Sequence, residues 1–267
     1  MKKIELGRYH RFVLEFLLIV AGVLAALAVD DWRQSRVDVV TERYILEGIL
    51  ADLDRDRQDI GSSISVASAR AAGADKLLAD VGNAAAGKLQ LTPWGSVPGP
   101  DELNAHQAFE RARAQYPAAS LSTTSAFRML TAVASIQRID VSAAAYTEAS
   151  ASGEVDRIRD VRLREALAQY YYTAERYANT TDQRVDNNWS HARNAFASGG
   201  LPSGGVISDE DILRILHDDD TLIAEIINAR EFAVSQIMLN TRVLVSAENL
   251  AAFVEQALQA TSAEGTL

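Results

Sequence analysis

The chain of 267 residues contains no cysteine. Disulfide frameworks, thiol nucleophiles, iron–sulfur clusters and cysteine-type zinc sites are therefore excluded. Only five prolines and 15 glycines punctuate it, which points towards long helices. Histidine is scarce as well: His10, His106, His191 and His217 are the only four, and no two lie at metal-ligand spacing. Bases are outnumbered by acids, 26 to 36, for a net charge of −10. Four of those bases (Lys2, Lys3, Arg8, Arg11) lie in residues 1–11, so the remainder carries 22 bases against 35 acids. A body that acidic is repelled by phosphate backbones and anionic lipid, and nucleic acid is not expected as a partner. Apolar residues at 48% and charged residues at 23% make an ordinary globular balance and exclude wholesale disorder.

Residues 12–29 read FVLEFLLIVAGVLAALAV, eighteen positions with a single charge, Glu15. At 1.5 Å per residue the run is about 27 Å long, enough to cross a hydrocarbon core. The basic head before it and Asp30-Asp31 after it favour an inside amino terminus and an outside body, with Arg33, Arg36 and Arg43 weakening that asymmetry. A cleaved secretory signal is the rival reading, with Ala26-Leu27-Ala28 as the cleavage site. The length of the run favours an uncleaved anchor in a bacterial inner membrane. Glu15 lies one turn from the basic end, where it can snorkel to the headgroups. Ala21, Gly22, Ala25 and Ala26 place small residues four apart twice, a flat face for another membrane helix. Trp32 is the candidate interfacial anchor.

Beyond the anchor, Val37, Val40, Tyr44, Ile45, Ile49, Leu53, Ile60, Ile64 and Ala67 recur at three-, four- and seven-residue steps. That is an amphipathic helix with Arg43, Glu47, Asp54 and Arg57 on other faces; Gly61 and Gly73 are places where it could bend. Residues 92–100, TPWGSVPGP, break the chain, and a short helix is expected from Pro100 to about Ala114, ended at Tyr116-Pro117. Further helices are expected over Thr124–Ile136, after Ser122-Thr123, and from Asp156 to about Phe196. Residues 143–153 read equally as helix or loop. SGGLPSGG at 198–205 is a second break, and Ser208 with Asp211 caps a short helix over Ile212–His217. The last helix starts at Asp218-Asp219-Asp220 and runs to about Ala260. Its residues Ile223, Ile237, Leu244, Ala251 and Leu258 share a seven-residue register. No segment alternates as a strand does. The expected fold is all-α: a cytoplasmic basic segment (1–11), a transmembrane anchor (12–29), a long helix leaving the membrane (30–91) and the rest of an extracytoplasmic helical bundle (92–267).

Several of these stretches together resemble a broad bacterial family of single-pass membrane proteins that carries no assigned function. The resemblance rests on Glu15 through Leu27 followed by Asp31-Trp32, on Glu42-Arg43-Tyr44-Ile45 and on Leu50-Ala51-Asp52-Leu53. It continues in Ser122–Ile136, Ala151-Ser152-Gly153 and the run from Ile158 to Tyr171. Val161 replaces a proline common in that family, and residues 85–118 have no counterpart. What the resemblance implies is location and helicity; it brings no catalytic residues.

No catalytic constellation is legible. The Asp52, Asp54, Asp56 and Asp59 series imitates a calcium loop. Its sixth position is Arg57 instead of glycine, however, and Ile64 falls near the place of the bidentate Glu, so a charged helix face explains it better. Asp218–Asp220 are explained by capping. There is no H-E-x-x-H, G-x-S-x-G or phosphate loop, and no cofactor is implied. Tyr170-Tyr171-Tyr172, with Tyr177, is the densest aromatic patch; adjacent helical positions point about 100° apart, so some belong to the core and at least one faces out as a candidate partner contact. The function expected is a non-catalytic, membrane-anchored helical scaffold or accessory subunit. Its partners would be the bilayer and other membrane subunits or copies of itself, reached through the anchor and long helices. The alternatives are a periplasmic ligand-binding or sensory bundle acting through a partner and, behind that, a hydrolase with dispersed carboxylates.

Overall fold

With no proline before position 93, nothing interrupts backbone hydrogen bonding along the first third of the chain. The computed structural model, which describes residues 5–88, 105–116, 125–201 and 206–264, accordingly has one helix, α1, over Glu5–Asp80. It stops at Gly82, whose φ of 70° lets the Asn83 N–H donate to the Leu78 carbonyl at 2.8 Å. The long helix thus ends at Asp80 and does not continue to 91. Gly61 and Gly73 do not interrupt it. Both are sites of close approach: a Cβ at 61 would lie 2.4 Å from the Tyr116 ring, and one at 73 would lie 3.1 Å from the Met129 carbonyl.

Six further α-helices follow among the described residues, with no strand. They are α2 (Ala105–Gln115), α3 (Ala126–Val133), α4 (Ala144–Ala151), α5 (Val161–Ser198), α6 (Asp209–Asp218) and α7 (Asp220–Glu264). A 3-10 turn over Glu154–Arg157 precedes α5, which starts later than expected because the Asp160 carboxylate accepts from the Arg162 and Leu163 amides and fixes the first turn there. The expected Ser208 cap is present: its hydroxyl accepts from the Asp211 N–H at 3.1 Å. For α7 the capping residue is Asp219, which accepts from Thr221 and Leu222. The break at 92–100 and the Ser122-Thr123 caps lie outside the described residues.

α7 runs antiparallel to α1: Ser63 meets Asn240, and further out Asp75 meets Arg230. Its heptad residues Ile223, Ile237, Leu244 and Ala251 are buried. Two apolar clusters result. The larger joins Ile45 to Ala71 of α1 with α4, the first half of α5 and the middle of α7. The smaller joins Leu77 and Leu78 with α3, α6, the end of α5 and the start of α7.

Full burial of α1 begins at Glu42, with Arg157 reaching one turn further back to the half-buried Asp38. Val37, Val40 and Tyr44, expected on the core stripe, are exposed; the core stripe starts instead at Ile45 and Leu46, because no other helix reaches back along the earlier turns. By length and composition the described helix able to cross a membrane is α7 over Asp220–Ser262, which differs from the crossing expected at 12–29. More than half of its most apolar window is buried, however, and its hydrophobicity is met within the bundle. Leu14 to Val29 present the opposite case, with Phe16, Leu18, Ile19 and Leu24 all over 60% exposed.

Arg230, 1% exposed, ties the end of α1 to α7. Its guanidinium donates to Asp75 at 2.6 Å, to the Ala85 and Lys88 carbonyls at 2.8 and 3.0 Å, and to Glu231 at 3.0 Å. Arg230→Ala leaves half-exposed acceptors without their donor and empties a buried site, and is expected to cost about 1–3 kcal/mol in urea unfolding. Arg230→Lys should recover only part of that, since the planar fork spans several acceptors at once.

Candidate functional site: a polar ladder on the long helix

Between α3 and α4 the chain crosses the bundle as an irregular strap, residues 135–143, half-buried and without the internal hydrogen bonds of a helix. Its peptide groups need partners. α1 supplies them from its inward face, on which Glu42, Ile49, Asp56, Ser63, Arg70 and Leu77 share one seven-residue register and Asp52 stands one turn from Asp56. Where the strap offers carbonyls, α1 offers donors. The buried Arg70 guanidinium donates to the Ser135 carbonyl, its Nε at 3.0 Å, and the Ser63 hydroxyl donates to the Gln137 carbonyl at 3.1 Å. Gln236 of α7 donates to the same carbonyl at 3.1 Å, and Asn240 donates to Ser63 Oγ at 2.9 Å.

Where the strap offers amides, α1 offers carboxylates. Asp56 accepts from the Ser142 N–H at 2.6 Å, and Asp52 accepts from the Ala145 N–H at 2.8 Å. Ala143, at the N-cap of α4, has no side chain able to cap it, so Asp52 does so from another helix. Further along, Glu42 accepts from both the Arg159 N–H and its Nε, each at 2.8 Å. Asp209 of α6 treats α3 the same way, accepting from the Phe127 N–H at 3.1 Å.

The tyrosines close the ladder. Tyr170 donates its hydroxyl to Asp56 Oδ2 at 2.6 Å, and Tyr171 stacks on Tyr146 with ring centroids 4.5 Å apart. Burial drives both hydroxyls far above the ordinary phenol range, with the nearby carboxylates adding to the effect, so they remain protonated. The Tyr171 hydroxyl is buried and has no hydrogen-bond partner among the described residues. Burial raises the Asp56 carboxyl above its usual value despite the Tyr170 and Ser142 donors, and lowers the Arg70 guanidinium to about 10. Chemically the cluster holds protons and fixes backbone.

The aspartates at 52, 54, 56 and 59 do not form one solvated face as expected. Asp54 and Asp59 are exposed, whereas Asp52 and Asp56 are buried because the 3.6-residue turn points them at the strap. No group of three or more His, Cys, Asp or Glu residues able to hold a metal ion occurs among the described residues. Of the tyrosine contacts, Tyr170 and Tyr171 are core residues closed to a partner, and Tyr172 alone is exposed. Ala21, Gly22, Ala25 and Ala26 are exposed on the projecting end of α1, and Trp32 is exposed with the Arg36 guanidinium 4.6 Å from its ring centroid. His191 and His217 are exposed; the side chains of His10 and His106 lie outside the described residues.

Asp56→Ala strands one amide and one hydroxyl, at an expected cost of about 2–4 kcal/mol. Asp56→Asn keeps an acceptor and costs less. Since the folded state raises the Asp56 pKa above the unfolded value of 3.8, the folded state binds the proton more tightly, and that part of the wild-type stability falls as pH climbs through the folded value. Denaturant titrations at several pH values should therefore show Asp56→Asn gaining on the wild type as pH is raised from 4. A trend in the other direction would mean that the two donors outweigh burial.

Comparisons with known protein families, with curated proteins and with solved structures find no match.

Proposed function

We propose that this protein is a non-catalytic, membrane-anchored helical scaffold or accessory subunit of a larger bacterial membrane assembly. In this reading residues 12–29 hold it in the inner membrane, residues 1–11 are cytoplasmic and the bundle stands in the periplasm. The observation that carries it is the contrast between the two apolar stretches. The apolar residues of α7 are largely consumed by the core, while those of Leu14–Val29, Val20 excepted, are exposed. An exposed stretch of that size needs a covering, and lipid is the covering that matches its length of about 24 Å. The sequence resemblance to single-pass membrane proteins agrees with this.

The ladder supports the non-catalytic half of the proposal. Both Asp56 oxygens and both Asp52 oxygens already accept hydrogen bonds, from Ser142, Tyr170, Ala145 and Arg55. Carboxylates so committed are spent on architecture, leaving the exterior of the helices as the working surface.

The chain should stay in carbonate-washed inner membranes, with its body cleaved by protease added to spheroplasts and spared in intact cells. Extraction in a mild detergent should recover it with stoichiometric membrane partners. A lone monomer, or a body protected from protease in spheroplasts, would reject the proposal.

A further inference from the structure

We propose that the outer face of α1 between Val29 and Tyr44 docks an acid-bearing amphipathic helix of a neighbouring membrane subunit. The inference rests on the anchored reading above and adds the chemistry of the partner. Residues 29, 33, 37, 40 and 44 follow one another at steps of four, four, three and four. At about 100° per residue they fall within an arc of about 80°, on the side opposite Glu42 and Ile49, which enter the bundle. Val29, Val40 and Tyr44 are 64%, 68% and 74% exposed, and Trp32 beside them is 60% exposed. The same line passes back through Ala26 and Gly22, where a Cβ on Gly22 would touch nothing, so a helix could follow it from the bilayer upwards without leaving the face.

Charge identifies the occupant. The body is strongly acidic, yet this face is basic: Arg33 sits on the apolar line and Arg36 and Arg43 along one edge, against Asp30 on the other. Asp38 and Glu42, on the bundle side, are taken by Arg157 and Arg159. Arg33 forms no ion pair among the described residues; Arg36 lies over Trp32, and Arg43 pairs only with Glu47 of its own helix. Trp, Tyr and Arg around an apolar line are the residue types that dominate interface energetics, and the cationic members call for Asp or Glu opposite.

Two other occupants fit worse. With the hydrocarbon ending near Val29, Val40 and Tyr44 stand about 16 and 22 Å above it. That is beyond a headgroup layer of about 5–8 Å, so lipid covers Trp32 and leaves the upper half of the line bare. A second copy, anchored in the same sense, must lie parallel at equal height and would set Arg33 against its twin, a like-charge contact across an apolar seam.

The test uses the full-length chain in native membranes, with a photo-reactive phenylalanine analogue at Val40 and, as a control, at exposed Glu255 on α7. Irradiation should yield a hetero-adduct from position 40 alone, and sequencing of the joined peptide should show an amphipathic segment carrying Asp or Glu. The exposed pair R33E/R36E, verified by an unchanged melting curve, should reduce the adduct at least tenfold. An adduct to a second copy, an adduct to lipid alone, or a yield undiminished in R33E/R36E overturns the inference. Absence of a position-40 adduct in the otherwise unsubstituted chain, while it still migrates in a large assembly, overturns the docking surface and spares the scaffold reading; migration as a monomer overturns both.

Discussion

A stretch of chain that crosses a helical bundle without being helical must have its peptide groups satisfied, or the bundle cannot close over it. Residues 135–143 are such a stretch, and the composition of α1 follows from them. Along one register of the helix, donors at Arg70 and Ser63 meet the carbonyls of the strap, and acceptors at Asp56, Asp52 and Glu42 meet the amides that come later. The order on α1 descends as the order on the strap ascends, so a two-turn shift that put Asp56 in the place of Ser63 would set a carboxylate on the Gln137 carbonyl. The apolar register beside it, with Leu46, Leu53, Ile60, Ala67 and Ala74, supplies burial without specifying position. The polar register supplies position, as a buried polar residue does in a coiled coil.

The rest of the fold accommodates this arrangement. α7 gives the middle of the strap two amide donors, Gln236 directly and Asn240 through Ser63. Its buried Ala229, Ala233, Ala247 and Ala251 keep the helix narrow where it passes the core. Glycine serves the same end on α1, where Gly61 admits the Tyr116 ring and Gly73 the backbone of α3. At the far end, Arg230 draws the turn after α1 onto α7 and seals the smaller cluster.

The helices themselves were legible in the sequence wherever a local rule sets them. Ser208 with Asp211 gave the start of α6, the acids at 218–220 gave the start of α7, and the scarcity of proline gave the continuity of α1, though not its end. The failures over burial share a cause, since each depended on what another segment brings; the end of α1 and the start of α5 turned instead on local caps, at Gly82 and Asp160. Val37, Val40 and Tyr44 keep the three-and-four spacing of a core stripe, but no helix arrives to cover them. Asp52 and Asp56 sit among Arg55, Arg57, Asp54 and Asp59, and by local pattern look solvated. The strap that buries them lies some 85 residues further on, and hydrophobic periodicity carries no record of it. The signal available was the register itself: Glu42, Asp56, Ser63 and Arg70 share one seven-residue series with the apolar Ile49 and Leu77, and polar residues on a core register imply buried partners. The tyrosines were half legible, because helical geometry separates three neighbours so that some face in and at least one faces out, without saying which.

α1 joins two environments with no hinge between them. From Glu5 to Asp80 it is one helix, and the glycines inside the bundle that would soften it are packed: Gly48 against Ala145, Gly61 against Tyr116 and Gly73 against α3. A tilt imposed on residues 29–44 is thus carried directly into the turns that bear Glu42, Asp52 and Asp56. Those carboxylates hold the start of α4 and the approach to α5, so displacing them strains hydrogen bonds to both segments together. On the proposed scaffold reading, this stiffness would let a partner bound along the projecting helix fix the attitude of the whole bundle, through a rod whose orientation the ladder has locked.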